Sequence, residues 1–159
     1  MSVAAMTARA NVNLALVKYW GKRDPALNLP ATGSISITLG GLSVETDVEF
    51  GGPGPDRLEI VGQPASGEEA SRIAGFLDLV RREAGVEAGA HVATRATVPR
   101  GIGLASSAAT FAALALAATR AAGLRLSPPA LSVLARRGSG SAARPLARTA
   151  PSPAGPHRC

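Results

Sequence analysis

Apolar positions recur with two different periods along this chain, and the two periods divide it into strands and helices. Residues 10–17, A-N-V-N-L-A-L-V, alternate with period two, which predicts a strand with Val12, Leu14 and Leu16 on one face. Residues 34–39, S-I-S-I-T-L, alternate again and predict a strand with Ile35, Ile37 and Leu39 inward. Residues 42–50 continue the alternation, placing Leu42, Val44, Thr46, Val48 and Phe50 on one face. Gly40 and Gly41 between these two runs predict a hairpin turn. A short strand is expected near Leu58–Val61 and another over 90–98, with Val92, Thr94, Ala96 and Val98 on one face. His91 and Arg95 fall on the other face. His91 has no Cys, His or acid at metal-ligand spacing and reads as an exposed strand residue.

Helical spacing takes over in three places. Over 67–84, Ile73, Phe76, Leu77 and Val80 form one stripe, with Ser66 and Glu69 as capping signals and Gly85 as the stop. Over 104–122, Leu104, Ala108, Phe111, Ala115 and Ala118 share a stripe that Leu114 and Leu116 widen, which predicts an alanine-packed helix covered on two faces and ended by Gly123. Ser127 and Pro128 open a third helix, with Leu131, Leu134 and Ala135 inward and R136-R137-G138 at its end. Residues 1–8 read as a flexible tail, 9–144 as one incomplete domain, and the Pro- and Arg-rich 145–159 as a disordered tail.

Composition narrows the classes. The 159 residues are 46% hydrophobic but only 3% aromatic, so the core is one of Ala, Leu, Val and Ile. The single cysteine, Cys159, excludes a disulfide scaffold and a cysteine metal cluster. The apolar run 104–122 contains Ser106, Ser107, Thr110, Thr119 and Arg120 and reads as a packed helix rather than a membrane span. The N-terminus lacks the pattern of a signal peptide; a cytoplasmic protein without membrane contact is expected. Charge is uneven. All 11 acidic residues and 8 of the 17 Lys and Arg lie in 1–87, whereas 88–159 hold nine Arg and no acid. The basic half could attract phosphates, nucleic acid or an acidic surface, or reflect no more than an arginine-rich composition. No aromatics alternate with the arginines, which argues against single-strand binding, and nucleic acid is not the expected partner.

The candidate chemistry sits in three stretches. In V98-P-R-G-I-G-L-A-S-S107 a strand runs through glycines 101 and 103 into the Ala-rich helix. Free N–H groups and the helix dipole at such a junction make an anion site, and Ser106 and Ser107 add two hydroxyls. The same glycines serve a plain helix start equally well; neither a Walker A loop nor a dinucleotide fingerprint is present. K18-Y-W-G-K-R-D24 offers Lys18 and Lys22 as phosphate donors, or a solvated turn pinned by Trp20. G138-S-G-S-A-A-R144 is a second glycine–serine loop.

Together these blocks resemble diphosphomevalonate decarboxylases of the GHMP kinase superfamily. The resemblance is carried by N11-V-N-L-A-L-V-K-Y-W-G-K-R-D24 with L27-N-L-P30 and S34-I-S-I-T-L39, by P99-x-x-x-G103-L-A-S-S-A-A-T-F-A-A-L114, and by R137-G-S-G-S-A-A-R144. It covers residues 9–144. It implies an α+β fold similar to ribosomal protein S5 domain 2: a mixed, mostly antiparallel sheet with helices packed on one side. It implies ATP and Mg²⁺ as cofactors, with ATP phosphates at Gly101, Gly103, Leu104, Ala105, Ser106 and Ser107 and the metal at Ser106 and Ser107. It implies substrate contacts from Lys18, Tyr19, Lys22, Ser139, Ser141 and Arg144, with Lys18, Ser141 and Arg144 in the catalytic set and Arg144 suited to grip a carboxylate in bidentate fashion. The implied reaction is ATP-dependent conversion of (R)-5-diphosphomevalonate to isopentenyl diphosphate, ADP, phosphate and CO₂, by a full-length enzyme that is a homodimer. Thr110 and Ala143 stand where the family usually has Gly and Cys. The larger departure is downstream. Members continue past the Arg144 position into a second domain with an active-site aspartate, whereas no acid follows Glu87 here. A truncated chain with little turnover is therefore expected. The alternatives are a non-catalytic phosphate-binding or dimerising remnant, or a GHMP-type mevalonate or phosphomevalonate kinase relative.

Overall fold

The structure, a computed structural model, describes residues 5–18, 20–52, 54–60, 63–65, 67–97 and 106–146, with the side chains of Gln63 and Ser106 excepted. Among these residues seven strands form: β1 (Met6–Val17), β2 (Lys22–Asp24), β3 (Leu29–Pro30), β4 (Ile35–Gly52), β5 (Arg57–Ile60), β6 (Gln63–Pro64) and β7 (Gly89–Ala96). The helices are α1 (Gly67–Ala84), α2 (Ser106–Ala121), α3 (Pro128–Gly138) and α4 (Ala143–Leu146). Five strands make one sheet in the order β1-β4-β7-β5-β6, and β2 and β3 pair separately. All pairs are antiparallel except β5 with β7, which runs parallel. Helices cover one face of this mixed sheet, as the α+β expectation requires.

α2 is the centre of the molecule. Ala109, Ala112, Ala113, Ala115 and Ala118 are completely buried, and α2 lies against β1 and β4 on one side and against α3 and α4 on the other. Alanine makes this possible, because a helix of small side chains can approach a sheet and other helices at once. Thr119 is buried with it, and its hydroxyl donates back to Ala115 O at 2.7 Å. Ile73, Phe76, Leu77 and Val80 of α1 supply the next layer. Both long helices end as their glycines predict. Gly85 and Gly123 adopt positive φ, and the following amides, Val86 and Leu124, donate to Arg81 O and Thr119 O five residues back, the Schellman closure. Ser127 caps α3 by accepting from the Ala130 amide. No described helix is long and apolar enough to cross a membrane.

One charged cluster fastens the rim of the sheet. The Arg81 guanidinium bonds to Asp56, to Asp78 at 2.8 Å and to Ala88 O at 3.1 Å, while Asp56 also accepts from the Ala90 amide at 2.9 Å. Burial, the largest single influence, pulls the Arg81 pKa down, but the two carboxylates outweigh it and hold the guanidinium above its ordinary value.

Several expectations are corrected. The two runs around Gly40 and Gly41 are not a hairpin but one 18-residue strand, and β1 pairs with both halves. Asn11 pairs with Ser43 and Asn13 with Thr38, so residues 39–42 of β4 lie opposite Val12 alone. Gly41, at φ 83°, takes up the extra residues as a bulge. The bulge reverses the alternation of β1. Ala8, Ala10 and Val12 face the core and Asn13 is buried beside them, so Leu14 and Leu16 turn outward, 41% and 57% exposed. Across the ladder Ile37, opposite Leu14, and Ile35, opposite Val17, are 50% and 63% exposed rather than inward. Order also extends beyond the boundaries expected at 8/9 and 144/145. β1 starts at Met6 with Ala8 buried, and α4 reaches Leu146, with Pro145 and Leu146 buried. Ser66, Val98 and residues 147–159 lie outside the described residues.

Candidate functional site

The small β2–β3 ribbon is built by local chemistry and then docked onto α3. Asp24 accepts from the Leu27 amide at 3.0 Å, and the Asn28 amide donates to Pro25 O at 3.2 Å. Asn28 sits at φ 49°, a conformation its short polar side chain tolerates. The Asn28 side-chain amide then donates to Arg137 O at 3.1 Å, and Arg136 Nε donates to Leu27 O at 3.2 Å. These two bonds, each spanning 109 residues, bring Lys22 to the loop after α3. Trp20 does not pin this turn, since it is 82% exposed. The backbone does so instead, through Thr32 Oγ1 accepting from the Trp20 amide and through the Ala31 amide donating to Gly21 O.

Lys22 and Ser139 thus line one open cleft of about 460 Å³, with Arg72, Arg137, Gly138 and Asn28 among its other walls. Three of the lining side chains are cations and none is acidic, so the cleft favours an anion. Ser139 is buried; its amide donates to Ala135 O, and its carbonyl accepts from Ala142 N at 2.8 Å. One turn on, Arg144 Nη2 donates to Ser141 Oγ at 3.0 Å, and the Arg144 amide donates to Ser141 O. The guanidinium fork is thereby oriented by the loop that carries it. Lys18 is exposed just past β1 and is not among the residues lining this cleft.

The start of α2 lies beside a smaller hollow, about 60 Å³, lined by Ser107, Thr110, Phe111, Glu69, Arg72 and Ile73. Ser107 is exposed there. The first amides of a helix have no intrahelical acceptor; the Ser107 hydroxyl and the Arg72 cation line this hollow as donors suited to phosphate oxygens, and the Glu69 carboxylate on the same wall opposes an anion. No group of three His, Cys, Asp or Glu that could hold a metal occurs among the described residues. A serine hydroxyl together with phosphate oxygens is the hard-oxygen set that suits Mg²⁺. Tyr19, Gly101, Gly103, Leu104 and Ala105 lie outside the described residues, as does the side chain of Ser106.

The sequence pattern missed Arg72, Asn28 and Arg137. Arg72 stands on the exposed side of α1 and lines both the cleft and the hollow. Its only sequence signal is a cation in an otherwise amphipathic helix. Asn13 was also missed. The bulge buries it, its amide nitrogen donates to Thr38 Oγ1 at 3.3 Å, and its Oδ1 has no hydrogen-bond partner among the described residues.

A mixed sheet with helices on one face, and an alanine-rich helix at its centre, is the N-terminal fold of the GHMP kinase class, similar to ribosomal protein S5 domain 2. Within that class the chain belongs to the diphosphomevalonate decarboxylase-like N-terminal domain family, whose model matches residues 10–150. It is 39% identical over 161 residues to the diphosphomevalonate decarboxylase of Eremothecium gossypii, covering 92% of this chain and 40% of that protein. It is 38% identical over 139 residues to the phosphomevalonate decarboxylase of Haloferax volcanii, covering 87% and 43%. A structure of the mevalonate diphosphate decarboxylase from Enterococcus faecalis, concerned with mevalonate diphosphate-mediated ATP binding, is similar at a TM-score of 0.82 and 42% identity, covering 89% of this chain and 45% of that one. The chain spans about two fifths of the length of the curated relatives it matches.

Proposed function

We propose that this chain is the ATP- and substrate-binding N-terminal domain of an ATP-dependent diphosphomevalonate decarboxylase. The observation that carries the reading is the acid-free cleft in which Lys22 faces Ser139 and Gly140, at the start of the loop that leads to Arg144. In the proposed reaction the 3-hydroxyl of (R)-5-diphosphomevalonate is phosphorylated by ATP. Phosphate then leaves with the C–O electron pair as the bond to the carboxylate breaks, giving CO₂, ADP and the double bond of isopentenyl diphosphate. Bound with Mg²⁺, ATP supplies the phosphoryl group that turns a poor leaving group into a good one. The chain's own residues bind and orient. Lys22 and the Ser139 loop hold the diphosphate, and the family resemblance assigns Lys18 and Tyr19 to the same substrate. Arg144, oriented by Ser141, takes the carboxylate and so fixes the bond that breaks. The nucleotide phosphates would be held by Ser106 and Ser107 at the start of α2 together with Gly101 and Gly103, and the two serine hydroxyls would offer oxygen ligands to Mg²⁺.

The 159-residue chain assayed by itself is expected to bind but scarcely to turn over, because the aspartate that the family resemblance implies is not in it. Calorimetry should show diphosphomevalonate and Mg·ATP binding at roughly 1 µM–1 mM, and Arg144→Gln should weaken only the former. Failure of diphosphomevalonate to bind, or binding to duplex DNA with a steep salt dependence that diphosphomevalonate does not relieve, would sink the reading. The Haloferax match favours one competitor, phosphomevalonate. Three cations around the cleft argue for the diphosphate, and a tighter monophosphate complex in the same titration would reverse that choice. The proposed setting is the cytoplasm, and the proposed full-length form a homodimer.

A further inference from the structure

We propose that Arg72 is a positioning residue for the substrate loop, setting residues 138–144 against the start of α2. The inference rests on the assignment of that loop to substrate made above. An exposed helix arginine is ordinarily solvated, but this one is committed. Its Nη2 donates to Gly138 O at 3.0 Å, and its Cζ lies 5.1 Å from the centroid of the Phe111 ring. Gly138 is the last residue of α3, whose terminal carbonyls carry the negative end of the helix dipole. The guanidinium therefore meets both a ring face and a helix terminus. Gly138 is itself pressed on the same ring: a Cβ there would lie 2.1 Å from Phe111 Cδ1. The ring is braced from behind by Phe76, edge-on at 5.7 Å.

From this anchor the loop has little slack. The Ser139 amide bonds to Ala135 O, the Ala142 amide to Ser139 O and the Arg144 amide to Ser141 O. Displacing Gly138 displaces Ser139, Ser141 and Arg144 with it. Phe111 lies four residues after Ser107, one turn along the same face of α2. Arg72 is the wall common to the cleft at Lys22 and Ser139 and the hollow at Ser107. Lysine would keep the charge but lose the planar group that stacks and donates in a fixed direction.

The test uses the 159-residue chain and its Arg72→Lys, Arg72→Met and Gly138→Ala variants. Diphosphomevalonate binding is read by calorimetry, and amide hydrogen exchange is read at Ser139, Ala142 and Arg144, with Val48 and Val92 of the sheet as controls. Both Arg72 variants should weaken binding by roughly tenfold and speed loop exchange by a similar factor, with the sheet amides unchanged. Arg72→Met combined with Gly138→Ala should do little more than the worse single change. Four results would overturn the proposal: wild-type-like binding in Arg72→Lys, which would reduce Arg72 to a charge; unchanged loop exchange; additive effects; or equal acceleration of the sheet amides, which would make Arg72 a general stability residue. If the wild-type chain binds no diphosphomevalonate, the substrate assignment fails, and loop exchange alone still decides whether Arg72 holds the loop.

Discussion

A methyl group at Gly138 would meet Phe111 Cδ1 at 2.1 Å and Cε1 at 2.6 Å, and that ring is buried with Phe76 against it. Neither side can yield cheaply, so Gly138→Ala should destabilise by about 1–3 kcal/mol, read as a lower midpoint in urea. The same substitution at Gly75 should act in the opposite sense. Gly75 lies inside α1, its Cβ would meet nothing within 4 Å, and its φ is not in the positive region. Alanine there removes unfolded-state freedom without a clash and should add roughly 0.5–1 kcal/mol. Equal signs for the two changes would contradict the geometry of the cleft wall, since both glycines line it.

Among the elements, the Asp56–Arg81 cluster ties the approach to β5, helix α1 and the start of β7. Both side chains are about 85% buried, so Asp56→Ala leaves a cation and the Ala90 amide short of a partner and should cost about 3 kcal/mol. Arg95, whose bonds to Glu45 and Asp47 are largely exposed, should lose less than about 1 kcal/mol on conversion to Ala. Paired urea titrations measure both, and a larger loss at Arg95 would invert the argument. Such clusters are hard to read from sequence, since Asp56, Arg81 and Ala90 become partners only through tertiary docking. The periodic elements were legible: α1 was predicted over its observed span, and α2 as a helix buried on more than one face. β4 was not, because alternation on either side of Gly-Gly looks the same for a hairpin and for a bulged continuous strand. Only the length of β1, pairing with both halves, decides between them. The candidate site divides in the same way. Lys22, Ser107, Ser139, Ser141 and Arg144 stand in local motifs, whereas Arg72 and Asn28 reach the cleft through contacts 66 and 109 residues apart in sequence.

On the scale of the whole molecule, the bulge that buries Asn13 has an outward consequence. Beyond it, among the described residues, β1 and the first part of β4 run on as a two-stranded ribbon, because β7 pairs with β4 only from Val44 onward. Leu14, Leu16, Val17, Ile35 and Ile37 are 41–63% exposed on this ribbon. Apolar residues next to unpaired strand edges favour pairing with another chain. The 159-residue chain is therefore expected to associate with itself at micromolar concentrations and to bind an apolar dye. Light scattering across a dilution series and dye fluorescence measure the two effects. Leu16→Lys with Ile35→Lys should restore a monomer and remove most of the fluorescence, while leaving ATP binding intact, since neither residue lines the cleft or the hollow. A wild-type chain that stays monomeric and dark to the dye would show that the ribbon face is already covered. A double variant that lost ATP binding would instead couple the ribbon to the nucleotide site.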